Sequence, residues 1–140
     1  VEDPGARLVR LARAAGARIV PIPGPSAITA ALSVAGLPRC PILYLGLLPR
    51  ETGARRRALR ENSRHALVIM DAPYRLRAVL DDAVSALGPH RTAVLCANIS
   101  TASEIILAGS LEEISRSTRG ISKPEFVLVV HPPVEDRPPA

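Results

Sequence analysis

Tryptophan is absent from this 140-residue chain, phenylalanine and methionine occur once each, and tyrosine and cysteine twice. With aromatics at 2%, there is no interleaved series of rings on which successive bases of a single strand could stack. Cys40 and Cys96 stand far apart, with no C-x-x-C and no histidine at ligand spacing, and His65, His90 and His131 are equally scattered. Neither a disulfide framework nor a metal site is expected, and two reduced thiols in a cytoplasmic protein is the simpler reading. Apolar stretches such as 66–70 and 126–130 fall far below the roughly 18 residues of a membrane helix, so no membrane role is expected. Also missing are G-x-S-x-G, a Walker phosphate loop and G-x-G-x-x-G. The opening Val1-Glu2-Asp3-Pro4-Gly5 has neither an initiator Met nor the layout of a secretory signal, and it reads as a cut end.

What is present is a 47% hydrophobic, 22% charged composition, enough for one globular domain or for one domain plus a piece of another. The net charge is +5, and the cations are almost all arginine, Lys123 being the only lysine. Position is more informative than total. Arg50, Arg55, Arg56, Arg57, Arg60 and Arg64 stand against only Glu51 and Glu61 in one short segment.

Asp3-Pro4 predicts a helix start, with Leu8, Leu11, Ala12 and Ala15 at helical spacing before Gly16. Residues 17–22 suit a short strand ending in a turn at Pro21 and Pro23, and Pro23-Gly24-Pro25-Ser26 opens a second helix closed by Gly36 and Pro38. From residue 41 the texture changes. Runs 42–48, 66–70, 92–97 and 125–131 read as buried strands, and 105–107 as a further one. Helical patterns occupy 55–63 and 73–87, and Ser110-Leu111-Glu112-Glu113 has the spacing of a capping box. Strand–helix alternation with one adjacent strand pair predicts an α/β fold with a mixed sheet. The expected division is residues 1–38 as the last helix-strand-helix of an N-terminal α/β domain, 39–133 as a C-terminal α/β domain, and 134–140 as a proline-rich tail.

A set of short words runs in order over most of the chain: Asp3-Pro4-Gly5, Val20-Pro21-Ile22-Pro23-Gly24-Pro25-Ser26-Ala27, Ser33-Val34-Ala35-Gly36-Leu37-Pro38, Gly46-Leu47-Leu48-Pro49, Ala72-Pro73-Tyr74-Arg75-Leu76, Gly109-Ser110-Leu111 and Glu125-Phe126-Val127-Leu128-Val129-Val130. Their order and spacing resemble the tetrapyrrole-methylase superfamily. Within it the chain is most similar to the small-subunit ribosomal RNA methyltransferase I group, which methylates the 2′-hydroxyl of a 16S rRNA cytidine with S-adenosylmethionine. The resemblance implies a two-domain, cytoplasmic, homodimeric enzyme holding the methyl donor between its domains, with ribosomal RNA of the small subunit as partner. It further implies that this chain is the C-terminal portion and by itself inactive. Two stretches depart from the family pattern: Asp71-Ala72-Pro73-Tyr74-Arg75 stands for Glu-Ser-Pro-His-Arg, and Cys96-Ala97-Asn98-Ile99-Ser100-Thr101 for Ala-Arg-Glu-Leu-Thr-Lys.

By the same resemblance, Gly46, Leu47, Leu48, Asp71, Ala72, Thr101 and Ser103 wall the donor. Pro23 and Ser26 lie at a helix start, and the free N–H groups of that helix N-terminus would face it. Each has a plainer reading: Leu47 and Leu48 as core, Asp71 as the cap of the helix at Pro73, and the Pro-Gly turn as punctuation. Arg55, Arg56, Arg60 and Arg64 are candidate RNA contacts, the last three on one line at four-residue spacing; a solvated helix face is the alternative. Arg75 is either an anchor for a phosphate or for the partner domain, or an exposed first-turn residue. No residue matches a catalytic word, so the base is unassigned. Two other functions fit the same residues: methylation of a tetrapyrrole or other small acceptor, and a non-catalytic RNA-binding or dimerisation module.

Overall fold

The structure, a computed structural model, describes residues 4–134. The elements, in chain order, are α1 (Ala6–Ala14), α2 (Ala27–Val34), β1 (Ile42–Gly46), α3 (Thr52–Glu61) and β2 (Ala66–Asp71). A 3-10 turn (Pro73–Arg75) then leads into α4 (Leu76–Leu87), β3 (Thr92–Ala97), β4 (Ile105–Ser110), α5 (Leu111–Ser117) and β5 (Phe126–Val130). The sheet order is β1-β2-β5-β3-β4. β1 runs parallel to β2, β5 runs antiparallel to both β2 and β3, and β4 antiparallel to β3. The sheet is therefore mixed, with β1, β2 and β3 sharing one direction.

The apolar runs of the central strands are unbroken because both faces are covered, and successive residues point to opposite sides. Leu67, Ile69, Ala93, Leu95, Leu128 and Val130 meet Leu59 of α3, Val79, Leu80 and Ala83 of α4, and Leu111 and Ile114 of α5. The alternate residues Val68, Val94, Cys96, Val127 and Val129 pack instead on Ala31 of α2 and on Ala35 at its C-terminal cap. No helix among the described residues is long and apolar enough to cross a membrane.

Several predicted boundaries move for identifiable reasons. Residues 17–22 form no strand. Pro21 and Pro23 cannot donate to a ladder, no described strand lies beside them, and Ile22 is 89% exposed. α1 begins after Gly5, and the expected Asp3 cap lies outside the described residues, as do residues 135–140 of the tail. The first core strand stops at Gly46, not residue 48, where the register with β2 shifts and the backbone turns left-handed (φ 61°), a conformation that glycine adopts without steric cost. α3 starts three residues earlier than predicted because Glu51 caps it, accepting from Gly53 N at 2.7 Å and Ala54 N at 2.5 Å. Those N–H groups hold the Glu51 carboxyl below its usual range. α3 ends at Glu61, so Arg64 lies beyond it.

The capping box at Ser110 is formed: Glu113 N donates to Ser110 Oγ at 3.2 Å while Ser110 N donates to Glu113 Oε2 at 2.8 Å. Thr101-Ala102-Ser103-Glu104 has the same formal spacing but starts no helix, since β4 follows it. Leu128 is fully buried on β5, the strand between β2 and β3. Leu128→Ala should cost about 2–5 kcal/mol through lost transfer energy and the cavity left behind. A urea-unfolding midpoint shift without a change in slope would report it.

Candidate functional site at the carboxyl edge of the sheet

The shared direction of β1, β2 and β3 brings their carboxyl ends, and the amino end of antiparallel β5, to one edge of the sheet. Ligand crevices in open α/β sheets form at such an edge, where backbone groups leave the ladder. The candidate residues gather there in two clusters.

The first cluster is a clasp between the β1 and β2 ends. The Asp71 side chain is fully buried; Oδ2 accepts from Leu48 N at 3.3 Å, and Oδ1 accepts from Ala72 N at 2.7 Å and Arg75 Nη1 at 3.0 Å. Asp71 is thus a tether and not the expected helix cap, since the 3-10 turn has no side-chain cap. Arg75 Nη2 donates to Pro49 O at 2.7 Å, and Arg55 Nη1 donates to the same carbonyl at 3.1 Å. Arg75 is thereby occupied within the fold. Two guanidinium groups on one carbonyl fix the loop that follows Gly46. Leu48 is core, whereas Leu47 stands out at 56% exposure on the rim.

The second cluster surrounds two adjoining cavities that share Ala27 and Ile99. One, of about 210 Å³, is lined by Met70, Cys96, Asn98, Thr101, Glu125, Phe126 and Val127, and the other, of about 460 Å³, by Pro25, Ser26, Thr29, Ala30 and Ser100. Pro23 and Ser103 line neither. The loop after β3 is tightly wound. Asn98 and Ser100 have φ of 50° and 64°, Thr101 Oγ1 donates to Asn98 O at 2.8 Å, and Ser100 N donates to Glu104 Oε2 at 2.6 Å. Ser103 supports the loop, its Oγ lying 3.1 Å from Thr101 Oγ1. Burial, and secondarily the Glu104 carboxylate, pushes the Cys96 thiol pKa up, which disfavours the nucleophilic thiolate. Sequence reasoning did not single out Met70, Asn98 or Phe126. The available signal was Asn98 directly after a strand, since asparagine tolerates the left-handed region. Among the described residues no group of three or more His, Cys, Asp or Glu could hold a metal ion.

The arginine stripe is divided by the fold. Arg55 is 4% exposed and faces inward, where its guanidinium pairs with Asp82 of α4, with Nε donating to Oδ2 at 2.5 Å. Its remaining donors go to Pro49 O, Arg50 O and Thr52 Oγ1. Arg55 is therefore a buried structural cation and not part of an exposed RNA face. Arg56 shares Asp82, with Nε 2.6 Å from Oδ1, but remains partly exposed. Arg60 is exposed on α3. Arg64 leaves the helical line and lines a separate cavity with Arg39 and His131 at the amino ends of β1 and β3, the opposite edge of the sheet.

The Tetrapyrrole (Corrin/Porphyrin) Methylases profile matches residues 1–115. The chain belongs to the tetrapyrrole methylases. This tetrapyrrole methylase chain is 39% identical over 132 residues to the ribosomal RNA small subunit methyltransferase I of Mycobacterium tuberculosis (strain CDC 1551 / Oshkosh), covering 93% of this chain and 46% of that protein. It is 38% identical over 135 residues to the protein of the same name from Escherichia coli O157:H7, covering 93% and 47%. It thus spans about half the length of these relatives. Among solved structures, the methyltransferase CobJ superposes with a TM-score of 0.69 at 19% identity, covering 99% of this chain and 63% of that one. Uroporphyrin-III C-methyltransferase from Thermus thermophilus, complexed with S-adenyl homocysteine, gives 0.59 at 20% identity, covering 94% and 60%. These last two likenesses establish the tetrapyrrole-methylase fold.

Removing Asp82 from this tetrapyrrole methylase domain leaves Arg55 charged, buried and unpaired. Asp82→Ala should destabilise the fold by about 3–5 kcal/mol, whereas Arg56→Ala, at a partly exposed position, should cost no more than about 1 kcal/mol. Chemical denaturation of the two variants checks the difference.

Proposed function

We propose that this chain is the C-terminal portion of an S-adenosylmethionine-dependent methyltransferase acting on ribosomal RNA of the small subunit, at the 2′-hydroxyl of a cytidine. The observation that carries the reading is the pair of adjoining cavities at the carboxyl edge, in a chain of this family. Met70, Ile99, Phe126 and Val127 offer apolar surface for an adenine, and Asn98, Thr101 and Ser26 offer an amide and hydroxyls for ribose or carboxylate oxygens. The residues present fit such a donor in kind. The smaller cavity, about 210 Å³, falls below the roughly 300–1,000 Å³ typical of small-molecule sites, so full enclosure calls for a further wall.

In this reading the donor, when bound, supplies an activated methyl group. The chain's own part is positional, which is where much of the rate of a methyl transfer resides. Asp71, Arg75 and Arg55 hold the Gly46-Leu47-Leu48 loop and Ala72 in place, the wound loop presents Thr101, braced by Ser103, and Ser26 with the preceding turn at Pro23 faces the same edge. Arg56, Arg60 and Arg64 are the accessible cations of the original stripe and are proposed to meet RNA phosphates. The reading also includes a cytoplasmic homodimer, supported by the family resemblance.

S-adenosylhomocysteine titrated calorimetrically into this chain should give saturable heat, reduced at least tenfold in affinity by Thr101→Ala or by Ala72→Leu. Absence of heat, both from this chain and from a longer protein containing it, would sink the donor site. Because full enclosure of the donor calls for a further wall, the chain alone should transfer no labelled methyl to 30S particles. Detectable transfer would reverse that expectation.

A further inference from the structure

A third cavity lies beside the carboxyl edge on the other face of the sheet, between the 3-10 turn and the connection from α5 to β5. It measures about 290 Å³. Its charged lining is entirely cationic: Arg77, Arg119 and Lys123, with no carboxylate. Arg77 is committed, since its guanidinium donates to both Asp81 oxygens and to Ser115 O and Oγ. Arg119 and Lys123 have no carboxylate partner among the described residues. Two like charges facing one hollow repel each other, and an anion between them relieves that repulsion.

Two features set this cavity apart from an ordinary solvated face. Lys123, the only lysine, sits at φ 46°, a left-handed backbone that costs a residue bearing a Cβ. The other is aromatic. Of the three rings in the chain, Phe126 is core and Tyr44 is half-buried against the α2 side, while Tyr74 stands 67% exposed on the rim of this cavity. An exposed ring next to unpaired cations is the combination that binds a nucleotide of a single strand, base on the π-face and phosphate on the cations.

We infer that Tyr74, Arg119 and Lys123 form a subsite for one nucleotide of single-stranded RNA, next to the candidate methyl-donor site. The phosphate lies between Arg119 and Lys123, and the base stacks on Tyr74. The strand enters the cleft at the point where Ala72 and Pro73 leave β2, which places the flanking nucleotide near the edge where chemistry is proposed. This inference rests on the RNA-methylation reading.

The test is fluorescence anisotropy of a labelled single-stranded RNA dodecamer with the full chain at several salt concentrations. Stacking contributions of the usual size predict that Tyr74→Ala weakens binding by about fivefold or more, with Tyr74→Phe close to the parent. Arg119→Gln with Lys123→Gln should lower the slope of log affinity against log salt by about 0.7, one phosphate's worth for a single strand. Arg7→Gln with Arg10→Gln on α1, removing the same amount of charge, is the control. Duplex RNA of equal length and inorganic phosphate should bind without sensitivity to Tyr74. The inference is overturned if the chain binds no RNA, if Tyr74→Ala stays within twofold, or if the Arg119 and Lys123 substitutions change the slope no more than the control. S-adenosylhomocysteine titration on the same variants separates the two readings: retained donor binding with unchanged RNA binding removes this subsite alone, and donor binding absent both here and from a longer protein containing the chain removes the underlying methyltransferase reading.

Discussion

The structure depends on covering both faces of the three central strands. β2, β5 and β3 carry apolar side chains on each side, and neither side can be left to water. That requirement puts α3, α4 and α5 on one face and α2 on the other, and it leaves the strand ends as the place where a ligand can approach without disturbing the core. α1 takes no part in this packing, having no buried residue, and its leucines Leu8 and Leu11 are exposed. The central strands are thus covered on both faces.

A second tier of organisation is electrostatic and sits directly on that frame. Asp82 neutralises Arg55, Arg55 and Arg75 hold the Pro49 carbonyl, and Asp71 ties Arg75 to Leu48. The chain of contacts runs from the middle of α4 to the tip of β1 through buried or half-buried groups, where charge-assisted hydrogen bonds are strong and unpaired charge is costly. It gives the loop after Gly46 a rigid seat. Among the described cations that no carboxylate claims are Arg57 and Arg60 on α3 and Arg119 and Lys123 beside the carboxyl edge.

The elements were largely legible from period and punctuation, because strands buried on both faces leave unbroken apolar runs and α4 leaves a helical stripe. The capping box at Ser110 was legible for the same local reason. The misses have physical causes. Residues 17–22 have strand-like composition, but a strand requires a neighbour, and none is present in the described chain. Glu51 is an unusual cap, so α3 was started too late and Arg64 was placed on its face. Arg55 looked like one more surface cation because sequence spacing alone does not show that Asp82, on the following helix, lies opposite it.

By itself the sequence determined the family, the α/β alternation and the mixed sheet, since these rest on short-range patterns and on words whose order survives in the chain. Tertiary structure alone decided which arginines are solvent-facing, that Asp71 clasps two loops and caps nothing, and that Tyr74, Arg119 and Lys123 share a hollow. Those facts depend on pairs 23 to 49 residues apart in sequence, such as Leu48 with Asp71 and Tyr74 with Lys123. Local pattern has no access to contacts of that range, because they exist only once the sheet has brought the loops to a common edge.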